Sequence, residues 1–402
     1  MALNRRILLI RPKLFLAGGN NYREGRWFTP WTHEELQSFT LPEHIQRIVG
    51  QRDTVIGNAV VKCNDTTIAC EICEEIFVSK NPHVDYSLDG VEIIANGSGS
   101  HHELRKLNTR LDLIRNASAR NGGVYMYSNL KGCDGGRILF DGSSNIAMNG
   151  TIQGYLPQFS IGEVDTLLGA LDLDIVRSQR AANNSRGIQS ANQKALPVVR
   201  ADIDICRPVS TPEQEKFLRQ SYSNEVKIHD PIEEIALAPA LWLWDYLRRS
   251  SGARGFFLPL SGGADSASVA AIVASMAQLV FKKAIEDGDE RCLADLRRVV
   301  HDPSFTPTKY QDIVNQLFVT CYLGTQNSSK DTLDRARRVA EGIGSNHYAV
   351  TIDEAYEQII RIMKQATGKI PKFNTQGGTD AEDLALQNIQ ARTRMVVSFF
   401  MA

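Results

Sequence analysis

The pattern of apolar and polar positions divides the chain into two α/β halves with a polar segment between them. In the first half, short apolar runs such as "TVIGNAVVKC" and "VEIIANGS" alternate with helical or loop segments. This alternation predicts a layered α/β or α+β domain. The periodicity then disappears in "RAANNSRGIQSANQ" and "RPVSTPEQEK", which predicts a linker. The resulting divisions are a first domain at 1–182, a linker at 183–230 and a second domain at 231–402.

The second half begins again with the amphipathic helix pattern "DPIEEIALAPALWLWDYLRRS". Strand patterns such as "LFVTCYLG" and "HYAVTI" then alternate with helix patterns such as "KDTLDRARRVAEGIG". Alternating strands and helices predict a parallel sheet with right-handed crossovers, whose ligands bind at the carboxyl ends of the strands.

The stretch "FFLPLSGGADSASVAAIVASM" predicts a strand, a glycine turn and the start of a helix in direct succession. The first N–H groups of such a helix converge on the turn and favour an anion. Gly262 and Gly263 allow close approach of a phosphate, Ser261 and Ser266 offer hydroxyls, and Asp265 requires a cation such as Mg²⁺ between itself and phosphate. The alternative is a glycine turn that caps an ordinary helix.

The segment "TTIACEICEEIF" contains a C-x-x-C spacing, but it does not favour zinc. On a strand, Cys70 and Cys73 would diverge, and no second cysteine pair completes a site of four ligands. Cys73 at the end of the strand has the placement of a nucleophile, which needs a nearby base or cation such as Lys13. A buried structural cysteine is the equally open alternative.

Composition narrows the class of protein. The chain has 45 basic and 46 acidic residues among 402, so nothing in its charge calls for nucleic acid or a membrane surface. Seven cysteines without paired spacing indicate a reducing compartment, and we expect a cytoplasmic protein. The apolar run near the start is too short for a signal peptide, and no stretch suggests a membrane span.

Several longer motifs resemble one family. The stretches "IRPKLFLAGGNNYREGRWFTPW", "CEICEEIF" and "IIANGSGSHHELRKLNTR" are similar to the nitrilase-type glutaminase domain of glutamine-dependent NAD synthetases. "SGGADS" resembles the S-G-G-x-D-S loop of N-type ATP pyrophosphatases, and "NSSKDTLDRARRVAEGIGSNH" and "LALQNIQARTRMV" continue the match. The resemblance implies a nitrilase-like α-β-β-α sandwich followed by an adenine-nucleotide alpha-hydrolase-like (Rossmann-like, parallel-sheet) ATP pyrophosphatase domain.

The same resemblance implies roles for individual residues. Cys73 would attack the glutamine carboxamide, and Lys13 would stabilise the oxyanion. The motifs that shape the glutamine pocket contain Tyr22, Glu74, Ser100 and Arg105. The ATP loop contains Ser261, Gly262, Gly263, Asp265 and Ser266, with Asp265 as the magnesium contact. The helix of "NIQARTRM" brings Asn388 and Arg392 to deamido-NAD and ATP.

The implied activity is that of a carbon–nitrogen ligase. Glutamine is hydrolysed to ammonia, ATP adenylates deamido-NAD, and ammonia converts the adenylate to NAD with release of AMP and pyrophosphate. The implied cofactors are ATP and Mg²⁺, and the partners are these small molecules and further copies of the chain in a homo-oligomer, without nucleic acid or membrane.

The chain also departs from the family pattern. The nitrilase general base is a glutamate upstream of the lysine, and no such segment precedes Lys13; family members also continue beyond the position of Ala402. We therefore expect a piece of a longer enzyme, shortened at both ends. The alternative functions are a catalytically silent fragment that keeps the fold and oligomer surfaces, and a glutamine-dependent ligase for another carboxylate.

Overall fold

A computed structural model describes residues 1–19, 21–207 and 225–402. They form two compact units, Met1–Glu234 and Ile235–Ala402.

The first unit contains thirteen strands and five α-helices among its described residues. The strands are β1 (Ala2–Leu3), β2 (Arg6–Ile7), β3 (Gln37–Thr40), β4 (Asp53–Ile56), β5 (Val60–Lys62), β6 (Thr67–Ile72), β7 (Ile93–Ser98), β8 (Val124–Asn129), β9 (Lys131–Cys133), β10 (Leu139–Asp141), β11 (Asn145–Met148), β12 (Thr151–Tyr155) and β13 (Val198–Arg200). The helices are α1 (Glu43–Val49), α2 (Pro82–Leu88), α3 (Lys106–Asn121), α4 (Leu173–Ala181) and α5 (Asn184–Ala191), with 3₁₀ turns at Glu24–Arg26 and Cys73–Ile76.

A seven-stranded mixed sheet organises this unit, in the order β12-β11-β8-β7-β6-β5-β13. Its central strands β6, β7 and β8 are parallel, with Glu71 opposite Asn96 and Asn96 opposite Tyr127. Side chains alternate between the two faces, so Ala69 and Glu71 point into the main core that also contains residues of α3. The opposite face is covered by smaller clusters around Leu9 and α4. The carboxyl ends of β6 and β7 consequently lie side by side.

The predicted linker is partly wrong, because its first part is folded into the first unit. Strand β13 pairs in parallel with β5 at the edge of the sheet, with Val198 opposite Val60. Helix α5 buries no residue, and polar bonds such as the one from the Ser190 hydroxyl to the Leu88 carbonyl hold it in place. A helix attached through polar side chains has no apolar stripe that would reveal it in the sequence. The part of the prediction at 208–224 lies outside the described residues.

The second unit is built on a parallel sheet of three strands in the order β14-β15-β16, which confirms the predicted parallel arrangement. The strands are β14 (Phe256–Pro259), β15 (Phe318–Gly324) and β16 (Asn346–Thr351). The helices are α6 (Pro231–Arg249, whose first residues belong to the first unit), α7 (Ala264–Phe281), α8 (Glu290–Val300), α9 (Tyr310–Leu317), α10 (Lys330–Ile343), α11 (Asp353–Thr367) and α12 (Asp380–Met401), with a π-helix at Lys282–Glu286 and a 3₁₀ turn at Asn374–Gln376.

One helix has the length and composition of a membrane span, although no such stretch was expected from the sequence. Helix α7 runs into the π-helix and forms a 23-residue segment, Ala264–Glu286, that could cross a membrane by length and composition alone. The same segment buries Ala270, Val273 and Met276, and it follows β14 directly. Because central helices of globular domains share this composition, the segment is weak evidence for a membrane span.

Candidate active sites

Cys73 lies at a sharp turn where β6 ends. It begins the 3₁₀ turn Cys73–Ile76 with a φ of 46°, a left-handed conformation that few residues other than glycine adopt. The Cys73 N–H donates to the Asn96 side-chain oxygen at 3.1 Å, on the neighbouring strand β7. The structure therefore confirms that Cys73 ends the strand at a sharp turn.

Cys70 has a different environment, on the other face of the sheet from Glu71. Its side chain lines a groove of about 450 Å³ together with Met1, Leu9 and Ile72. Burial raises the pKa of the Cys70 thiol above its ordinary value, which disfavours the reactive thiolate. Among the described residues, no group of three or more His, Cys, Asp or Glu side chains could hold a metal ion.

Lys13 is paired with a carboxylate that the sequence did not single out. The Lys13 ammonium donates to both oxygens of Glu24, at 2.9 and 2.6 Å, and the Ala17 N–H donates to one of them at 2.6 Å. Glu24 follows Lys13 by eleven residues, within "NNYREGRW", and from that stretch only Tyr22 was predicted. An acidic residue close to Tyr22 was the available signal, but the sequence does not show that the loop folds back on Lys13.

Electrostatic effects on pKa values connect Cys73, Lys13, Glu24, Tyr22 and Glu74 in one group of interacting charges, the cluster around Cys73. Burial raises the pKa of Glu74, Lys13 lowers it and Glu24 raises it further. Burial likewise raises the pKa of Tyr22, and the Cys73 and Glu24 charges add to this effect. Lys13 and Glu24 thus act on Glu74, which follows Cys73 in the chain, and Cys73 and Glu24 act on Tyr22. The Tyr22 hydroxyl donates to the Gly99 carbonyl, which ties the site to the loop after β7.

Glu75 connects the lysine segment to the cysteine turn. One of its oxygens accepts the Leu14 N–H at 2.6 Å and an Arg11 guanidinium N–H at 2.6 Å, and the other accepts the Ile72 N–H at 2.7 Å. The Glu75 side chain is fully buried. Leu14 follows Lys13, and Ile72 precedes Cys73. This single carboxylate therefore holds together the backbone segments that carry the two predicted catalytic residues.

Ser100 and Arg105, which were predicted to shape the glutamine pocket, form hydrogen bonds with other parts of the first unit. Ser100 is 3 % exposed, and its backbone N–H and carbonyl both bond to the Asn129 amide. The Arg105 guanidinium donates to the His229 carbonyl at 2.5 Å, and its backbone N–H donates to Glu234 at 3.1 Å. The neighbouring Lys106, by contrast, lowers the pKa of Glu74 and so acts on the cluster around Cys73.

A buried ion pair supports the loop that carries Ser100. The Arg110 guanidinium donates to both oxygens of Asp141, at 2.8 and 2.6 Å, and both side chains are almost fully buried. Burial alone would raise the pKa of Asp141, but the His102 ring, whose Nδ1 lies 3.5 Å from the carboxylate, and the Arg110 charge lower that pKa well below its ordinary value. Asp141 therefore stays ionised and stabilises the folded unit.

Removing this charge should destabilise the first unit strongly. We expect Asp141→Asn to lower the free energy of unfolding by about 3 kcal/mol at neutral pH, because it leaves Arg110 buried without its counter-ion. The exposed pair of Glu43 and Arg47, whose atoms lie 3.3 Å apart, provides the control: Glu43→Gln should cost no more than about 0.5 kcal/mol. Chemical denaturation of the three proteins measures the difference.

The difference in unfolding free energy between the native chain and Asp141→Asn should depend on pH. A carboxyl group with a lowered folded-state pKa stabilises the protein above its unfolded pKa of about 4, and this stabilisation is lost as the pH falls. The gap between the native chain and Asp141→Asn should therefore narrow on acidification below about pH 4. A gap that widens on acidification would contradict the ionised pair.

The second candidate site is the glycine turn between β14 and α7. Its Gly262 has a φ of 78°, and a Cβ atom there would lie 2.2 Å from the Thr332 carbonyl oxygen, so only glycine fits. The Ser261 and Ser266 hydroxyls lie 3.1 Å apart across the turn. Asp265, in the first turn of α7, is exposed, as is Gly263 at the helix start. The turn is thus open to an anion rather than covered by packed side chains.

Helix α12 carries the other predicted contacts of the second unit. Asn388 and Arg392 are both exposed and lie one helical turn apart, so they share one face. The Arg394 guanidinium donates to the Leu323 carbonyl at 3.0 Å, near the carboxyl end of β15. The Arg394 side chain is therefore bonded to the sheet. It anchors α12 at the edge of the sheet where parallel α/β folds bind ligands.

The two units correspond to two known protein families. Residues 1–181 match the carbon-nitrogen hydrolase family, and residues 237–402 match the NAD synthase family. The glutamine-dependent NAD(+) synthetase of Homo sapiens is 46% identical over 407 aligned residues, which cover 100% of this chain and 56% of the human protein. The chain spans about half the length of the curated relatives it matches.

Two solved structures are similar to this chain in fold. A glutamine-dependent NAD(+) synthetase from Cytophaga hutchinsonii superimposes with a TM-score of 0.69 at 25% identity, over 97% of this chain and 54% of that one. A second such synthetase, from Acinetobacter baumannii and solved with adenosine diphosphate, has a TM-score of 0.58 at 17% identity, over 97% of this chain and 52% of that one. The latter likeness concerns the fold alone. The predicted fold class is confirmed by these similarities.

Proposed function

Because this chain belongs to the family of glutamine-dependent NAD(+) synthetases, we propose that its first unit releases ammonia from glutamine and its second unit uses it to convert deamido-NAD to NAD. The observation that carries the proposal is the presence of both chemistries in one chain. In the first unit, Glu75 bonds both to the residue after Lys13 and to the residue before Cys73, which has a left-handed φ, and in the second unit an open glycine turn lies at a helix start.

In the first unit, the Cys73 sulfur attacks the carboxamide carbon of glutamine. The carbonyl oxygen becomes an oxyanion, which the Lys13 ammonium stabilises, while Glu24 holds that ammonium in place. The carbon–nitrogen bond then breaks, and the thiol proton leaves with the nitrogen as ammonia. Water hydrolyses the resulting thioester to glutamate and restores the thiol.

In the second unit, the glycine turn binds the phosphates of ATP. The first N–H groups of α7 and the hydroxyls of Ser261 and Ser266 lie at this turn, and Asn388 and Arg392, which are exposed on α12, would supply further polar contacts. The nicotinate carboxylate of deamido-NAD attacks the α-phosphorus of ATP and releases pyrophosphate. Ammonia then attacks the adenylated carbonyl carbon and releases AMP, leaving the amide of NAD.

The residues at the turn also fit a magnesium ion. Mg²⁺ commonly binds to one or two carboxylates together with substrate phosphates, and Asp265 offers such a carboxylate in the first turn of α7. Asp265 and the phosphates would hold the ion, which when bound neutralises the charge of the departing pyrophosphate.

The two half-reactions can be tested separately on the same chain. We expect glutamate to form from glutamine, and pyrophosphate to appear from ATP and Mg²⁺ only when deamido-NAD is present. Glutamate without pyrophosphate release would contradict the function of the second unit. Pyrophosphate release that depends on a different carboxylate would favour another glutamine-dependent ligase, and the absence of both products would favour a catalytically silent fragment.

A further inference from the structure

A buried chain of hydrogen bonds ends on the backbone of Cys73, and the chemistry described above leaves it without a role. The Asn96 side-chain oxygen accepts the Cys73 N–H at 3.1 Å, and the Asn96 amide nitrogen donates to the Tyr125 hydroxyl at 2.9 Å. The Tyr125 hydroxyl donates to the Glu71 carboxylate at 2.5 Å. Asn96, Tyr125 and Glu71 are each 1 % exposed. All three point into the core from the adjacent strands β7, β8 and β6.

The Glu71 end of this hydrogen-bond network determines which group donates and which accepts in each of its hydrogen bonds. One Glu71 oxygen accepts from the His83 backbone N–H, and it lies 3.0 Å from the His83 ring nitrogen, at the start of α2. Burial and the Glu71 carboxylate raise the pKa of Tyr125 far above its ordinary value, so its hydroxyl keeps its proton and donates to Glu71. The Tyr125 oxygen can then only accept from the Asn96 amide. Consequently the Asn96 carbonyl oxygen must face Cys73.

Cys73 needs an anchor of this kind. A residue other than glycine keeps a left-handed φ only where its surroundings enforce it. Asn96 holds the Cys73 N–H, while Glu75 holds the preceding Ile72 N–H at 2.7 Å. Two buried side chains therefore fix successive peptide groups of the turn. Since the Cys73 N–H is committed to Asn96, it is not the donor that meets the oxyanion, and Lys13 remains in that role.

We propose that Asn96 is a positioning residue for the nucleophile. Asn96 orients the Cys73 sulfur by holding the backbone of the turn. Tyr125, Glu71 and His83 keep the side-chain amide of Asn96 in the orientation that lets its oxygen accept the Cys73 N–H. The inference rests on the proposed function, because it assigns the aimed sulfur to attack on glutamine.

Two labelling reagents distinguish a loss of the orientation of the Cys73 sulfur from a loss of the folded structure. A diazoketone analogue of glutamine must bind in the pocket and meet a correctly directed sulfur, whereas iodoacetamide reacts with an accessible thiol from many directions. We expect Asn96→Ala to slow labelling of Cys73 by the analogue on the order of 100-fold, and Tyr125→Phe to slow it about tenfold. The iodoacetamide rate at Cys73 should change little in either variant. Peptide mass spectrometry identifies the labelled cysteine.

Ser118→Ala is the matched control, since it also removes a buried hydroxyl of the same unit. The Ser118 hydroxyl donates to the Ile114 carbonyl and accepts the Gly150 N–H, each at 3.1 Å, and it has no part in the chain that ends on Cys73. This variant should lose stability but keep the native analogue rate. If Asn96→Ala does not fold, Tyr125→Phe, which keeps the aromatic ring, carries the test alone.

The outcomes distinguish this inference from the function on which it rests. Equal slowing by both reagents, or a native analogue rate in Tyr125→Phe, would overturn the positioning role while leaving Cys73 as the nucleophile. A native chain that reacts with iodoacetamide at Cys73 but not with the analogue would overturn the proposed glutaminase function, and the positioning role with it.

Discussion

Replacing Cys73 by alanine is expected to lower the rate of glutamine hydrolysis on the order of 10⁴-fold or more, because the residue that forms the covalent bond to glutamine is gone. NAD formation with ammonium as the nitrogen donor should stay at the native rate, since the second unit keeps all of its groups. Glutamate release and NAD formation, measured on the same preparation, report the two effects.

Cys70→Ala is the appropriate control, because it makes the same chemical change three residues earlier. Cys70 lies on the other face of the sheet, in the groove next to Met1 and Leu9. Glutamine hydrolysis should remain at the native rate in this variant. Loss of hydrolysis in Cys70→Ala with retention in Cys73→Ala would reverse the assignment of the nucleophile.

Replacing Gly262 by alanine is expected to weaken ATP binding on the order of 100-fold, because the turn cannot keep its conformation. The new methyl group would lie 2.2 Å from the Thr332 carbonyl oxygen, and a φ of 78° is unfavourable for alanine. The N–H groups at the start of α7 would then no longer converge on the phosphates. Isothermal titration with ATP and Mg²⁺ measures the loss.

Gly342→Ala tests whether the effect is specific to the turn. Gly342 lies within α10, and a Cβ atom there would meet no other atom within 4 Å, so this variant should bind ATP as the native chain does. Labelling of Cys73 by the glutamine analogue should be unaffected in both variants. Native ATP affinity in Gly262→Ala would show that the turn is not the phosphate site.

Those parts of the two sites that depend on neighbours along the chain could be predicted from the sequence. Gly262 lies between a strand and a helix pattern, so local periodicity was enough to place it at a turn, whereas the strand pattern before Cys73 left a buried structural cysteine equally open. The parallel sheet of the second unit follows from the same alternation of strands and helices. Their chemical roles came from resemblance to a family, and the assignments of individual residues stay predictions.

The contacts that were missed depend on how distant segments fold together. Glu24 reaches Lys13 only because the loop between them turns back, and Arg105 bonds to residues more than a hundred positions later in the chain. Helix α5 and strand β13 escaped detection because polar bonds and a single edge pairing hold them, without an apolar stripe. Asn96 gave no signal for a related reason, since a buried asparagine acquires its role only from Cys73 and Tyr125 on either side.

The amide nitrogen of glutamine can be followed directly through both proposed sites. The chain is incubated with deamido-NAD, ATP, Mg²⁺ and glutamine that carries heavy nitrogen in its amide, and the NAD produced is analysed by mass spectrometry. We predict NAD with heavy nitrogen in its carboxamide from the native chain, and labelled NAD from Cys73→Ala only when labelled ammonium replaces glutamine. Unlabelled NAD, or no NAD, from the native chain, or label passed from glutamine by Cys73→Ala, would contradict the transfer of nitrogen from Cys73 chemistry to the adenylated acceptor.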